Sequence, residues 1–244
     1  MKRIFADLHL CLDLKDSAET SRIVCKAASL GYGLIGVPLS PETREDETVK
    51  LRNVCASAGI DLACRVDLQP RTREQLMFQL RKLRRRFEVV CVVCGNKDVA
   101  RQAAKDRRVD LLSFPSLDSR GRFFDRAEAE LACNGFAGLE VGLKPLLLLE
   151  EPARVRFLAV LRREVSIARE FRVPVVISSG VGRELLLRKP REVAALGSVF
   201  GLDEASALEA VSTNPVAIVR RNREKLSRGF VAPGIRVVKE GYDC

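Results

Sequence analysis

Histidine occurs once in the 244 residues, at His9. That scarcity excludes chemistry that needs imidazoles in number. A phosphoesterase with several metals must hold its ions with multiple histidines and carboxylates while leaving a position for water. A histidine-based triad could draw only on His9, and no G-x-S-x-G elbow is present to expose a serine nucleophile. No apolar run reaches the length of about 18 residues expected of a membrane helix. Met1-Lys2-Arg3-Ile4 leads directly into a strand pattern, which argues against a signal peptide and for a cytoplasmic protein. Internal repeats, low-complexity linkers and a marked domain boundary are also missing.

Positive charge is plentiful. The chain has 42 Lys and Arg against 32 Asp and Glu, a net charge of +10, and 31 of the basic residues are arginine. Guanidinium binds phosphate in a bidentate fork, so the balance favours a polyanion, RNA or DNA. Ion-paired helix surfaces of the thermophile kind are the other reading of the same composition. Eight cysteines form no framework. The one C-x-x-C, Cys91-Val92-Val93-Cys94, lies inside a strand pattern, where residues three apart face opposite ways and cannot share a metal. The cysteines read as small buried residues, with a disulfide of the hyperthermophile kind as the alternative.

Strand-length apolar runs at 4–8, 34–39, 61–68, 89–94, 109–114, 137–141 and 173–178 alternate with amphipathic helical segments. One helix is expected over 72–87, with Leu76, Leu80, Leu83 and Phe87 inward, Thr72 and Gln75 as a capping box, and Arg84, Arg85 and Arg86 on the solvated side. Another is expected over 152–171, with Val155, Leu158, Leu161, Val165 and Ala168 inward. After the seventh strand the pattern is helical over 190–200, 204–212 and 215–225, the last with Asn214 as N-cap. This predicts an α/β fold, an irregular TIM-like barrel of about seven parallel strands with extra C-terminal helices. Residues 1–225 form one domain, and 226–244, with Gly229, Pro233 and Gly234, form a loose tail.

In such barrels functional groups sit at the C-terminal ends of the strands. Those ends carry Asp7 and His9, Pro38, Asp67, Asn96 and Lys97, Ser113, Glu140, and Ser178 with Ser179. Asp7-Leu8-His9-Leu10-Cys11 resembles the Asp-Leu-His-x-His start of the polymerase-and-histidinol-phosphatase (PHP) superfamily, with Cys11 at the second ligand position. A single-metal site from Asp7, His9, Asp67 and Glu140 is the most that this set could build. The literal G-x-G-x-x-G at Gly31-Tyr32-Gly33-Leu34-Ile35-Gly36 leaves a helix and enters a strand, the reverse of a dinucleotide site. Ser178-Ser179-Gly180-Val181-Gly182-Arg183 could hold a phosphate on backbone N–H groups, with Arg183 beside it, or be only a glycine-rich turn.

The later part of the chain resembles a known family. Gly95-Asn96-Lys97-Asp98-Val99-Ala100-Arg101, Val109-Asp110-Leu111-Leu112-Ser113-Phe114-Pro115 and Phe124-Asp125-Arg126-Ala127-Glu128 resemble motifs of the archaeal ribonuclease P protein component 3 family. So do Glu140-Val141-Gly142-Leu143-Lys144-Pro145, Pro174-Val175-Val176-Ile177-Ser178-Ser179-Gly180 and Leu187-Arg188-Lys189-Pro190-Arg191-Glu192-Val193, in the same order over about 90–225. Residues 31–89 match only in barrel layout.

The resemblance implies a PHP-like barrel without metals: a non-catalytic, RNA-binding subunit of ribonuclease P. The RNA subunit would remove the 5′ leader of precursor tRNA with its own Mg ions, and the protein would bind no cofactor. Ribonuclease P RNA and ribonuclease P protein component 2 are the implied partners, the latter in a dimer of heterodimers. The candidate RNA-binding residues are Lys97, Arg101, Arg120, Arg122, Lys144, Arg183, Arg188, Lys189 and Arg191, expected together on one rim of the barrel. A metal-dependent phosphoesterase with a reduced site is the alternative.

Overall fold

The computed structural model describes residues 3–117, 121–227, 229–232 and 235–237. Seven parallel strands pair in chain order. They are β1 (Phe5–Asp7), β2 (Tyr32–Pro38), β3 (Asp61–Leu68), β4 (Val89–Val93), β5 (Leu111–Ser113), β6 (Gly138–Gly142) and β7 (Val175–Ser178). Between them run α1 (Ser17–Leu30), α2 (Glu45–Ser57), α3 (Arg73–Leu83), α4 (Lys97–Lys105), α5 (Arg126–Gly135), α6 (Lys144–Leu148) and α7 (Ala153–Glu170). After β7 come a 3₁₀ turn (Glu184–Leu186), α8 (Pro190–Val199), α9 (Glu204–Ala210) and α10 (Thr213–Leu226). A short antiparallel pair, β8 (Phe230–Ala232) with β9 (Ile235–Arg236), lies in what the sequence suggests is a loose tail. Residues 238–244 of that tail lie outside the described residues.

The seven expected strands all form, and alternation along them separates two cores. Ala6, Leu8, Leu34, Ala63, Val89 and Cys91 fill the barrel interior with Leu111 and Val176. The intervening residues, such as Val66, Val90, Val92, Leu112, Leu139 and Ile177, pack outward against the helices. Cys91 and Cys94 accordingly belong to different cores. Gly36 faces inward on β2, where a Cβ would lie 2.6 Å from the Leu8 carbonyl oxygen, so no larger residue fits. Gly31 ends α1 in the left-handed region (φ 99°), its N–H returning to the last turn, and β2 begins at the next residue. The G-x-G-x-x-G is a helix terminus and strand entry.

Among the described residues no eighth strand closes the ring. The gap between β1 and β7 is bridged above the strands, where Gly180 N donates to His9 O and Cys11 N to Val181 O, each at 2.9 Å. Lower down, Ala6 N donates to Val211 O at 2.9 Å. From there α10 crosses the N-terminal mouth. Asn214 Nδ2 reaches Val175 O at the start of β7, Asn222 Nδ2 reaches Glu88 O before β4, and Arg223 Nη2 reaches Leu62 O in β3. Val216 and Val219 of α10 pack with the interior side chains, so the helix plugs the barrel from below.

Four local expectations need correction. Asn214 does not cap α10; Ser212 holds that position, while the Asn214 amide is used against β7. On α7 the inward stripe is Phe157, Leu161, Glu164, Val165 and Ala168, and Val155 is exposed. Arg84 is not solvated, because its guanidinium lies 2.7 Å from the buried Asp110 carboxylate. At the start of α3, Thr72 accepts from Gln75 N as expected, while Gln75 Oε1 accepts from Arg71 N one residue earlier than a capping box would have it.

Candidate functional site at the barrel mouth and its rim

The C-terminal mouth is organised around an arginine. Arg65 stands at an inward position of β3 and its side chain is wholly buried. Its Nη1 and Nη2 bind Glu140 Oε1 and Oε2 of β6 at 2.5 and 2.7 Å, and its Nε binds Asp67 Oδ1 at 2.6 Å. Nη1 also donates to Leu8 O at 2.9 Å, tying the guanidinium to β1. Ser178 Oγ of β7 donates to Glu140 Oε1 at 2.8 Å. Burial alone would raise the Glu140 pKa, but the Arg65 charge and hydrogen bonds outweigh it and hold the carboxyl at about 2. His9 completes the group, 3.6 Å from Asp67 and 3.9 Å from Glu140.

These are the residues that the sequence offers for a metal, and they do not fit one. Asp67 and Glu140 have spent their charge on Arg65, whose fixed cation sits among the oxygens an ion would need. Asp7 Oδ1 accepts from His9 N and Ser179 N, each at 3.0 Å, so Asp7 serves to join β1 to β7. Its Oδ2 is buried without a partner, but one oxygen is far from the three or four ligands a stable site requires. Burial raises the Cys11 thiol more than the nearby Lys144 lowers it, which disfavours the thiolate that zinc needs. Among the described residues no group of three or more His, Cys, Asp or Glu side chains is disposed to hold an ion.

The 178–183 loop is also committed. Ser179 N goes to Asp7 and Gly180 N to His9 O, both across to β1, and Val181 N goes to Ser179 Oγ at 3.4 Å within the loop, so these three N–H groups are already engaged. A Cβ at Gly182 would lie 2.6 Å from Cys11 O, which is why this turn is glycine-rich.

The candidate cations do not share one rim. Lys144 and Arg183 are exposed beside the mouth, Lys144 N being held by Ser179 O. Lys97 is exposed at the end of β4, 3.8 Å from Asp125. It lines a cleft of about 600 Å³ with Arg71, Arg73 and Asn96. Arg71 and Arg73 follow β3 and are rim cations that the sequence reading missed, because that stretch shows only as the start of a helix. Arg101 is turned to Asp125, at 2.7 Å, and to the buried Glu128, at 3.3 Å.

Arg122 is buried. It binds Glu164 at 2.5 Å, donates to Phe114 O and Ser116 O, and covers the Phe157 ring. Arg188, Lys189 and Arg191 lie lower down. Tyr32, the first residue of β2, donates to Arg188 O at 3.1 Å, and Arg191 stands 6.0 Å over the ring of Phe5, the first residue of β1. The 183–189 segment descends beside α1, where Glu184 meets Lys26 at 3.8 Å. Arg120 lies outside the described residues.

A seven-stranded TIM-like barrel with an arginine locked in its mouth and exposed cations around it defines a class: an α/β barrel whose mouth is filled by a buried ion pair. A model of the RNase P subunit p30 family matches residues 4–227, and the chain belongs to that family. Ribonuclease P protein component 3 of Methanosarcina barkeri is 34% identical over 204 residues, 84% of this chain and 78% of that protein. The component 3 protein of Halorubrum lacusprofundi is 32% identical over 90% of this chain and 92% of its own. A chain in the cryo-EM structure of archaeal ribonuclease P with mature tRNA has the same fold, with a TM-score of 0.83, 21% identity, and 96% and 99% of the two chains covered. The barrel of Aspergillus niger ochratoxinase is a more distant likeness in fold, at TM-score 0.60 and 11% identity, with 89% and 71% covered.

Proposed function

We propose that the chain is a non-catalytic, RNA-binding subunit of ribonuclease P, supporting a catalytic RNA in removing the 5′ leader of precursor tRNA. The observation that carries the non-catalytic reading is Arg65, whose guanidinium occupies the centre that a hydrolytic metal would need. With that centre filled, the protein's contribution is positive charge held in place, and the metal ions of the reaction belong to the RNA. Arg71, Arg73, Lys97, Lys144 and Arg183 supply that charge around the mouth. Ribonuclease P protein component 2 is the expected protein partner, in a dimer of heterodimers, and the assembly is expected in the cytoplasm. No helix among the described residues is long and apolar enough to cross a membrane.

The test is RNA affinity as a function of salt. Three to five phosphate contacts predict a slope of log affinity on log salt of roughly −3 to −5. The variant Lys97→Gln/Lys144→Gln/Arg183→Gln should reduce that slope by about 3 and weaken reconstitution of pre-tRNA cleavage. A slope near zero in the wild type, or phosphodiesterase turnover by the protein alone with added Mn, would overturn the reading.

A further inference from the structure

The opposite end of the barrel also carries charge, and around a different kind of centre. Phe136 ends α5 in the left-handed region (φ 64°), where a bulky side chain is unusual, and its ring is 59% exposed. The ring has no place in either core. The Arg107 guanidinium lies 5.5 Å from its centroid. Arg221 of α10 donates to Phe136 O at 3.4 Å and to Asp110 at 2.9 Å. Arg84 binds the other oxygen of Asp110 at 2.7 Å. One buried carboxylate thus serves two guanidiniums, and Arg84 Nη2 and Arg221 Nε stay buried with no partner. Burial and the positive charges of Arg221, Arg84 and Arg107 push Lys225 below its ordinary pKa, although Asp110 opposes them. On the same face Arg3 and Arg220 flank a groove of about 400 Å³ at the start of α10.

We propose that this N-terminal face is a second RNA contact, which takes an unpaired stretch of RNA with one base on Phe136 and the adjoining phosphates on Arg107, Arg221 and Lys225. It is separate from the mouth and its rim, since α10 plugs the barrel between them. The surroundings of the ring favour RNA over protein. Protein interfaces share the enrichment in aromatic residues and arginine but are poor in lysine, and here Lys225 stands with the arginines. Unpaired bases stack on an aromatic face beside arginine, and their phosphates seek cations. A protruding ring also has nothing to stack against in an intact duplex.

The experiment uses the full chain and a short labelled oligouridylate, followed by fluorescence anisotropy over a KCl series. Phe136→Asn removes the ring and keeps a residue tolerant of positive φ. Arg107→Gln/Lys225→Gln removes two exposed cations and leaves the Asp110 network intact. Phe136→Asn should weaken binding about tenfold. The double variant should lower the salt slope by about 1.4, at about 0.7 per phosphate on a single strand. All variants should melt like the wild type.

Wild-type affinity retained by both variants would overturn the proposal. So would equal displacement of the oligonucleotide by duplex RNA. If oligonucleotide binding were unchanged but co-purification of the component 2 protein were lost, the face would be a protein interface and the proposal would fail. The Lys97→Gln/Lys144→Gln/Arg183→Gln variant, run in parallel, separates the two ideas. Loss there with no effect at Phe136 would overturn only the second contact, and the reverse would overturn only the rim.

Discussion

Replacing Arg65 by methionine should show how the mouth is held. Methionine keeps the length of the side chain and removes its charge and hydrogen bonds, leaving Glu140 buried with no cation. In the native protein the Glu140 carboxyl sits at about 2 against an ordinary 4.5. That difference, about 2.5, corresponds to roughly 3 kcal/mol near neutral pH. The figure agrees with the roughly 3–5 kcal/mol lost when one partner of a buried pair is removed. In a chain of this size each kcal/mol moves the midpoint by about 2–4 °C, so Arg65→Met should melt roughly 6–20 °C lower near pH 7.

The pH dependence gives a second, independent check. A depressed carboxyl stabilises the fold above its unfolded value, and that contribution is lost as pH falls from about 4.5 towards about 2. The gap between wild type and variant should therefore be full near neutrality and narrow through that acid window. Arg65→Met/Glu140→Gln, which removes both charges of the pair, should regain most of the loss. Calorimetry at several pH values measures all three proteins. If Arg65→Met melted within about 2 °C of wild type near pH 7, or kept the same deficit in acid, the ion pair would not be what locks the mouth.

Arg122→Met should cost roughly 3–5 kcal/mol through the buried Glu164, seen as a lower melting midpoint with no change in the salt slope of RNA binding. Glu128 is a buried carboxyl raised to about 7, so its charged form is penalised; the cost is absent below about pH 4.5 and grows as pH rises through 7. Glu128→Gln should then raise stability by about 1–3 kcal/mol near pH 8 and scarcely change it near pH 4, and equal effects at both would refute the assignment. Asn222→Ala should cost about 1–3 kcal/mol, because Glu88 O and Asp110 Oδ1 lose a donor where α10 meets the strands. Thermal melting of this variant reports how firmly α10 plugs the barrel.

Much of the architecture could be read from the sequence, because strand alternation and turn chemistry are local. The seven strands, the opposite faces of Cys91 and Cys94, and the helix end at Gly31 all follow from residues a few positions apart. The site was less accessible. Arg65 sits at an inward position of β3, but nothing near it announces a partner 75 residues away, across the ring in β6. Arg122 has the look of a loop cation until α7 brings Glu164 beneath it, and Arg84 that of a solvated one until the loop before β5 brings Asp110. Arg188, Lys189 and Arg191 follow β7 in sequence yet lie at the lower end of β1 and β2, because the intervening segment descends beside α1. Periodicity determines which way a side chain points from its own strand. Which charges meet depends on how distant strands and helices are brought together when the barrel closes, and only the tertiary structure decides that.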